Sequence, residues 1–408
     1  MKNTYLFFLV ANLVLFTSHS TNATKPKPGL WKAELELNAT TKLPFMVELI
    51  KVGAAYHFII QNGQEKIFLN QVTTSADSIY ISFSTFDAVL KLKVLSKNTI
   101  RGAWYNKAKS DNYCVPLKAS RNSYSRYPAL TNQNIDIDEK WEVTFSYNDD
   151  PEKAVGLFRY SSSPSNILEG TFLTETGDYR FLEGATIGDS LYLSTFDGSH
   201  AFLFNACLKG DTLWGEFFSG KHYKTNWYAV KNKDFELTHP DSLTRIVDQA
   251  PLKFSLKDLN GKTYNYPNAL TKNKVVLLQI MGTWCPNCLD ESNYLRGVYE
   301  KYQSQLEIIA ITFETQKTLI DKQVKVEAYK NALNLDYTFL IGGDACKPCA
   351  TNLFPQLSEI ISFPTLIFID KVGEIRKIHT GFSGPGTGVY YDRFVTETNQ
   401  FIEMLVNE

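Results

Sequence analysis

Two pairs of cysteines in this chain have the spacing at which thiols do chemistry. Cys285 and Cys288 lie in the stretch GTWCPNC, and Cys346 and Cys349 lie in DACKPCA. Cysteines separated by two residues can bind a metal, tether haem, form a structural disulfide or act as a redox centre. The residues around each pair, and the elements that carry the pairs, must decide between these roles.

The sequence argues against two of the four roles. Haem attachment requires a histidine directly after the second cysteine, whereas Leu289 and Ala350 follow the two pairs. A zinc site built from two such pairs usually has about 15–20 residues between them, and here 57 residues intervene. We therefore expect no metal and no other cofactor. A structural disulfide stays an alternative, but a redox role is favoured because strained, exposed pairs are readily reduced.

The first pair follows an expected strand and opens an expected helix. VVLLQIMG (275–282) is a near-continuous apolar run, which is typical of a strand buried on both faces. The stretch LDESNYLRGVYEKYQSQ has apolar residues at helical spacing. A thiol at a helix N-terminus is favoured as thiolate by the helix dipole. We therefore expect Cys285 to be the exposed attacking thiol and Cys288 to resolve the mixed disulfide.

Strands and helices alternate through the rest of 245–408, which predicts an α/β sheet. The expected elements are LEIIAITFE, a helix from about 315 to 334, YTFLIGG, a short helix in ATNLFPQLSEI, a hairpin of TLIFID and EIRKIHTG, and a final amphipathic helix, YYDRFVTETNQFIEMLVNE. Loops that follow parallel strands lie at one edge of a sheet, so both cysteine pairs should lie there, about 10 Å apart if their strands are two apart. Cys346 and Cys349 then form either a second redox pair that exchanges electrons with the first or a static disulfide.

The first half of the chain predicts strands, because apolar and polar residues alternate there. The pattern occurs twice: DSIYIS (77–82) returns as DSLYLS (189–194), and NTIRGAWY resembles DTLWGEFF. An offset of 110 to 113 residues between the copies predicts an all-β tandem repeat. We place the copies at 24–125 and 136–232.

The repeats carry no obvious chemistry. Neither copy has a cluster of His, Asp or Glu at metal-ligand spacing, so a scaffold or docking role is favoured over ligand binding. Cys114 and Cys207 fall on non-equivalent strands and either bridge the copies or stay as buried free thiols. With 42 basic and 43 acidic side chains and a formal net charge of −1, the chain has no electrostatic basis for binding nucleic acid.

Residues 1–23 have the layout of a signal peptide. Lys2 precedes an apolar run from Tyr5 to Phe16, and small polar residues follow. The run of about a dozen residues is shorter than the roughly 20 needed to span a bilayer, although an uncleaved membrane anchor stays an alternative. We expect export to the periplasm or cell envelope, where disulfides persist.

The motif GTWCPNCLDE, followed about 75 residues later by SFPTLIFID, resembles the TlpA/ResA-like branch of thioredoxin-fold thiol–disulfide oxidoreductases. The resemblance covers 245–408. The chain is therefore expected to be multidomain, with a C-terminal α/β thioredoxin fold after an all-β tandem repeat region. By this resemblance the site residues are the nucleophile Cys285, the resolving Cys288, the flanking aromatic Trp284, the cis-proline Pro364 at which the substrate backbone docks, and Glu291, a carboxylate that tunes the thiols.

The resemblance implies an exported enzyme that reduces the disulfides of other exported proteins and is recycled by a membrane electron donor. Phe363 precedes the cis-proline, where smaller residues are common, so the substrate preference is open. A buried carboxylate at Glu291 would hold or pass a proton as thiol becomes thiolate. The alternative for Glu291 is an ordinary acid in the first turn of a helix.

Two other functions stay open. Peroxiredoxins share this fold, but Leu278 and Gly282 stand where a proline and a threonine or serine would precede a single peroxidatic cysteine. The chain could also be a binding protein in which the β repeats act and the disulfides are structural. The complete set of CxxC, tryptophan and expected cis-proline argues against that alternative.

Overall fold

The computed structural model of the chain describes residues 24–69, 71–121, 125–127, 135–161 and 167–408. The predicted signal peptide, 1–23, lies outside them. No helix in these ranges is long and apolar enough to cross a membrane. The described chain forms three sheets, of which two belong to an all-β region and the third is covered by helices. This arrangement confirms the expected fold class, whereas the domain boundaries stay predictions.

The first sheet is antiparallel and has nine strands in the described residues. They are β1 Gly29–Glu36, β2 Lys42–Val52, β3 Ala55–Asn62, β4 Glu65–Leu69, β5 Gln71–Ser75, β6 Ser78–Ser82, β7 Ala88–Ser96, β8 Thr99–Asn106 and β9 Cys114–Ser120. Their order across the sheet is β4-β3-β2-β1-β9-β8-β7-β6-β5. Along β1 the buried residues Trp31, Ala33 and Leu35 alternate with partly exposed charged ones, so one face of the strand lines a core.

The second sheet also has nine strands in the part of the chain that is described. They are β10 Lys140–Phe145, β11 Glu152–Tyr160, β12 Leu168–Thr174, β13 Gly177–Asp178, β14 Leu182–Ile187, β15 Ser190–Phe196, β16 Ala201–Lys209, β17 Thr212–Ser219 and β18 Tyr223–Lys231. Each of the eight strand pairings in the first sheet has a counterpart here between the strands numbered nine higher, so that the β1–β2 pairing corresponds to β10–β11. One more, between β12 and β14, closes eight of the strands into a barrel. The shared order is what a tandem repeat requires, and the repeat itself stays a prediction.

The first sheet and the barrel share a hydrophobic core. Phe196 of β15 lies in the core of the first sheet, with its ring centroid 4.6 Å from that of Phe45 and 5.2 Å from that of Trp104. The Trp104 indole N–H donates to the carbonyl oxygen of Gly198, at 3.0 Å. These contacts bury the aromatic face of one unit against the other, so the all-β region packs as one body.

The third sheet carries the cysteine pairs. Its strands are β19 Phe254–Asp258, β20 Thr263–Tyr266, β21 Val275–Met281, β22 Leu306–Glu314, β23 Thr338–Asp344, β24 Thr365–Ile369 and β25 Ile375–Thr380, and its helices are α1 Pro286–Tyr302, α2 Leu319–Leu333, α3 Lys347–Leu353 and α4 Val389–Asn407. The strand order is β20-β19-β23-β22-β21-β24-β25, with β21, β22 and β23 mutually parallel.

Two helices differ in position from the sequence-based expectation. α2 begins at Leu319 rather than near 315, because the hydroxyl of Thr318 caps it by accepting the backbone N–H of Asp321, at 3.1 Å. α3 begins at Lys347, inside the second cysteine pair, and ends before Pro355, which could not continue the helix.

The helices cover the two faces of the third sheet unequally. α1, α2 and α4 pack on one face, through residues such as Leu295, Val326 and Ile402. α3 packs on the other face, together with the β19–β20 hairpin. The helices that follow the two cysteine pairs therefore lie on opposite faces of the sheet.

Candidate active site

Cys285 occupies the N-cap of α1, directly after the central strand β21. Its sulfur accepts the backbone N–H of Cys288 at 3.2 Å, and its thiol donates to the carbonyl oxygen of Phe363 at 3.4 Å. Pro286 stands in the first helical turn, where its missing N–H costs nothing. Both cysteines are free thiols. The helix therefore presents an N–H group and the positive end of its dipole to the Cys285 sulfur.

Cys285 is buried, and the expectation that it would be exposed is wrong. Its relative exposure is 6%, and that of Cys288 is 0%. The all-β region contacts the residues beside Cys285: the Ser199 hydroxyl donates to the carbonyl oxygen of Trp284, at 3.1 Å. On another side the Ser362 hydroxyl donates to the carbonyl oxygen of Thr176, at 2.6 Å. Residues of the all-β region therefore contact both loops that flank the thiol pair.

The two thiols differ in their surroundings. Burial raises the pKa of Cys288, and the neighbouring Cys285 sulfur raises it further. Cys288 therefore keeps its proton at neutral pH, as a resolving thiol should until the mixed disulfide forms.

Glu291 lies one turn further along α1 and is fully buried. One carboxylate oxygen accepts the side-chain N–H of Gln279 at 2.9 Å, and the other has no hydrogen-bond partner among the described residues. Burial raises the pKa of Glu291 to about 8. An ordinary acid in the first turn of a helix would face solvent, whereas this one can take up or release a proton near neutral pH.

Replacing Glu291 by glutamine should slow disulfide exchange and flatten its pH profile. General acid–base groups contribute about 10²–10⁴-fold to rates, and we expect a loss at the lower end of that range, with the inflection near the pKa of Glu291 removed. Since the folded pKa lies above the ordinary value of 4.5, the wild-type protein loses stability as pH rises from that value to about 8. The variant should lack this loss. Rates and unfolding curves between pH 5 and pH 9 would check both effects, and an unchanged profile would leave Glu291 a purely structural role.

The other predicted site residues meet at the same point. The peptide bond between Phe363 and Pro364 is cis, as expected. The rings of Trp284 and Phe363 pack edge to face with centroids 5.7 Å apart. The Trp284 indole N–H donates to the carbonyl oxygen of Phe313, at 2.9 Å, which fixes the aromatic ring beside the first cysteine.

Glu314 is a site residue that our sequence interpretation missed. It ends β22 and is buried, and its carboxylate accepts the backbone N–H of Thr283 at 2.9 Å and the Thr283 hydroxyl at 2.6 Å. Burial raises the pKa of Glu314 to about 7. These bonds hold the turn that precedes Cys285. The signal was present in LEIIAITFE, where an acid closes an otherwise apolar strand at the edge that carries the cysteines.

The second cysteine pair forms a disulfide, and both of its residues are partly exposed. Asp344 and Thr283 flank Glu314, because Glu314 pairs with Asp344 across the sheet and binds Thr283 through its carboxylate. Cys285 follows Thr283 by two residues, and Cys346 follows Asp344 by two. Both cysteine pairs therefore begin at the same edge of the sheet. However, Cys349 packs on the α3 face and Cys285 on the α1 face, so electron exchange between the pairs stays a prediction without a supporting contact.

Cys114 and Cys207 are free in the structure. They lie at the start of β9 and within β16, and both are partly exposed. The structure therefore shows two free thiols, but the expectation that such thiols would be buried is wrong.

The C-terminal part of the chain is similar to known thiol–disulfide oxidoreductases. The AhpC/TSA family matches residues 246–378. The thioredoxin-like protein YneN of Bacillus subtilis is 31% identical over 133 residues, which is 33% of this chain and 70% of the relative. The thiol-disulfide oxidoreductase ResA of Halalkalibacterium halodurans is 30% identical over 141 residues, covering 34% of this chain and 71% of the relative.

Among solved structures, the chain is similar to a thiol:disulfide interchange protein of the thioredoxin family from Chlorobium tepidum. It is 19% identical, with a TM-score of 0.30, and the match covers 40% of this chain and 97% of that one. The sequence similarity to YneN and ResA does not depend on this structural match. Through its C-terminal domain, the chain belongs to the thioredoxin-fold family of thiol–disulfide oxidoreductases.

Proposed function

We propose that the chain is an exported reductase of disulfides in extracytoplasmic proteins, with Cys285 as its nucleophile. The observation that carries the proposal is the position of the Cys285 sulfur. It caps α1, receives the Cys288 N–H at 3.2 Å, and lies 3.4 Å from the carbonyl oxygen that precedes the cis-proline. A substrate sulfur bound beside Pro364 would be within reach of attack.

The reaction takes place in two exchanges. The Cys285 thiolate attacks one sulfur of the substrate disulfide, and the other sulfur leaves as a thiolate that takes a proton. Cys288 then loses its proton, for which the carboxylate form of Glu291 is the buried acceptor, and attacks the Cys285 sulfur. This attack breaks the mixed disulfide and releases the second substrate sulfur as a thiolate, which takes a proton. The substrate gains two electrons and two protons, and the enzyme is left with a Cys285–Cys288 disulfide.

The remaining assignments follow from the same geometry and from the family. Trp284, Phe363 and Pro364 line the approach to Cys285 and would contact the substrate. Residues 1–23 would direct export to the periplasm or cell envelope, and a membrane electron donor would reduce the Cys285–Cys288 disulfide after each turnover. The partners are therefore disulfide-bearing exported proteins and that donor.

A redox titration that reads every cysteine separately tests the proposal. After equilibration in thiol buffers, differential alkylation and mass spectrometry should show Cys285 and Cys288 opening near the thioredoxin value of about −270 mV. Cys114 and Cys207, which are free thiols, serve as internal controls and should be alkylated throughout.

A Cys285–Cys288 disulfide that stays closed well below about −300 mV would be structural. Function would then have to be sought in the all-β region. Titration of Cys346–Cys349 together with the first pair would support exchange between the pairs, and independent titration would argue for a static disulfide.

A further inference from the structure

The barrel places one connection directly on the candidate active site. Residues 175–181, which we call the covering loop, join β12 to β14 and contain the short strand β13. The carbonyl oxygen of Thr176 accepts the Ser362 hydroxyl, two residues before the cis-proline. A Cβ atom added to Gly381 would lie 3.0 Å from the carbonyl carbon of Thr176. The backbones of the covering loop and of the active-site loops are therefore in direct contact.

Side chains of the covering loop also bind the first turns of α1. The Asp178 carboxylate accepts the side-chain N–H of Asn287, inside the CPNC motif, at 3.1 Å and the backbone N–H of Gly384 at 2.6 Å. The guanidinium of Arg180 pairs with both oxygens of Asp290, at 2.8 and 2.9 Å. Bidentate pairs of this kind fix orientation as well as contributing energy. The covering loop is therefore attached to the helix that carries both thiols.

The covering loop and Ser199 contact Ser362, Asn287 and Trp284, which surround Cys285, and Cys285 itself is buried. A polypeptide that presents a disulfide to Cys285 has to lie against the backbone near Pro364. Thr176 is already hydrogen-bonded there, to Ser362, and would stand in the way of such a polypeptide. A small disulfide needs only a gap above the sulfur. The covering loop can distinguish these two kinds of substrate by their size, and comparison of each variant with wild type on the same probe removes differences in intrinsic reactivity.

We propose that the covering loop selects substrates by size, so that Cys285 reacts with small disulfides in the closed arrangement and with polypeptide disulfides only when the barrel has moved away. This inference rests on the proposed role of Cys285 as nucleophile. It gives the all-β region a function that the scaffold interpretation lacks, because the region then determines which disulfides are reduced.

A substitution in the thioredoxin-like domain that crowds the backbone of the covering loop tests the proposal. Gly386 is not at a positive φ, but a Cβ atom there would lie 2.7 Å from the carbonyl oxygen of Arg180. Gly386→Ala should therefore push the covering loop away without altering any site residue. A matched control is Gly297→Ala within α1, where an added Cβ meets nothing within 4 Å.

The full-length variants would be assayed with two probes, the aromatic disulfide DTNB and insulin. We expect Gly386→Ala to raise the rate with insulin by about tenfold, because overpacking shifts the balance from closed to open. The rate with DTNB should stay within about twofold, and Gly297→Ala should match wild type with both probes. Ser199→Ala, which removes the bond to Trp284, should act in the same direction as Gly386→Ala but more weakly.

Three results separate the outcomes. If wild type reduces insulin and DTNB with the preference of an uncovered thioredoxin, and neither Gly386→Ala nor Ser199→Ala changes that preference, selection by size is wrong while Cys285 remains the nucleophile. If wild type reduces neither probe although Cys285 is alkylated by iodoacetamide, the proposed function itself fails, and this inference with it. A reduction rate that rises in Gly386→Ala with insulin but not with DTNB supports the proposal.

Discussion

Replacing Cys285 by serine should abolish disulfide reduction, with a loss of about 10³-fold or more. A hydroxyl is far less acidic than a thiol, so the helix N-terminus cannot supply a nucleophile at neutral pH. The substitution removes one buried sulfur and keeps a group able to donate to the carbonyl oxygen of Phe363, as the thiol does. The fold should therefore be retained, and the insulin and DTNB assays would measure the loss.

Cys288→Ser is the matched control for that experiment. It leaves the attacking thiol in place and removes the resolving one, so a covalent Cys285–substrate disulfide should accumulate and be visible by mass spectrometry. Activity that survives Cys285→Ser but is lost in Cys346→Ser/Cys349→Ser would contradict the assignment. The partly exposed pair Cys346 and Cys349 would then be the working centre.

The chemistry of the site was predictable because its signals are local. The apolar run of β21, the CxxC spacing and the proline after Cys285 lie within a few residues of one another, and together they determine a strand, a cap and a helix. The edge of the sheet that carries Cys346 and Cys349 was also predictable, since loops after parallel strands share an edge. The face was not, because it depends on which side of the sheet Ala350 and Phe354 pack.

The burial of Cys285 could not have been inferred from these signals. The contacts that the all-β region makes beside Cys285 join irregular loops far apart in sequence, such as Thr176 with Ser362 and Ser199 with Trp284. Neither segment has a periodicity that reveals its partner. Arg180, at a positive φ of 56°, lies in a connection whose conformation only tertiary packing determines. Interpretation of the sequence therefore identified the class of enzyme but not the contacts that the all-β region makes beside Cys285.

Replacing Arg180 by methionine should produce the largest loss of stability. Its buried guanidinium lies 2.7 Å from the Glu65 carboxylate, 3.3 Å from Asp197 and 2.8 Å from Asp290. These three acids come from the first sheet, the barrel and α1, so one cation joins all three units. Breaking a buried ion pair by removing one partner typically costs about 3–5 kcal/mol, because the remaining charges stay buried without compensation.

The same substitution at Arg159 is the matched control, because this side chain, which pairs with Glu169 at 3.3 Å, is 53% exposed. Arg159→Met should cost less than about 1 kcal/mol. Urea unfolding followed by tryptophan fluorescence would compare the two variants. A loss for Arg180→Met no larger than for Arg159→Met would show that the cluster does not hold the units together.

The effect of Arg180→Met should also depend on pH, in a direction that follows from the acids left behind. Burial raises the pKa of both Glu65 and Asp290 already in the presence of Arg180, whose charge opposes that rise. Without the guanidinium both values should rise further, and a group whose folded pKa is raised loses stability as pH increases. The variant should therefore be least destabilised near pH 5 and most destabilised near pH 8. Adding Asp290→Asn, which removes one of the uncompensated charges, should recover part of the loss at the higher pH but little at the lower one.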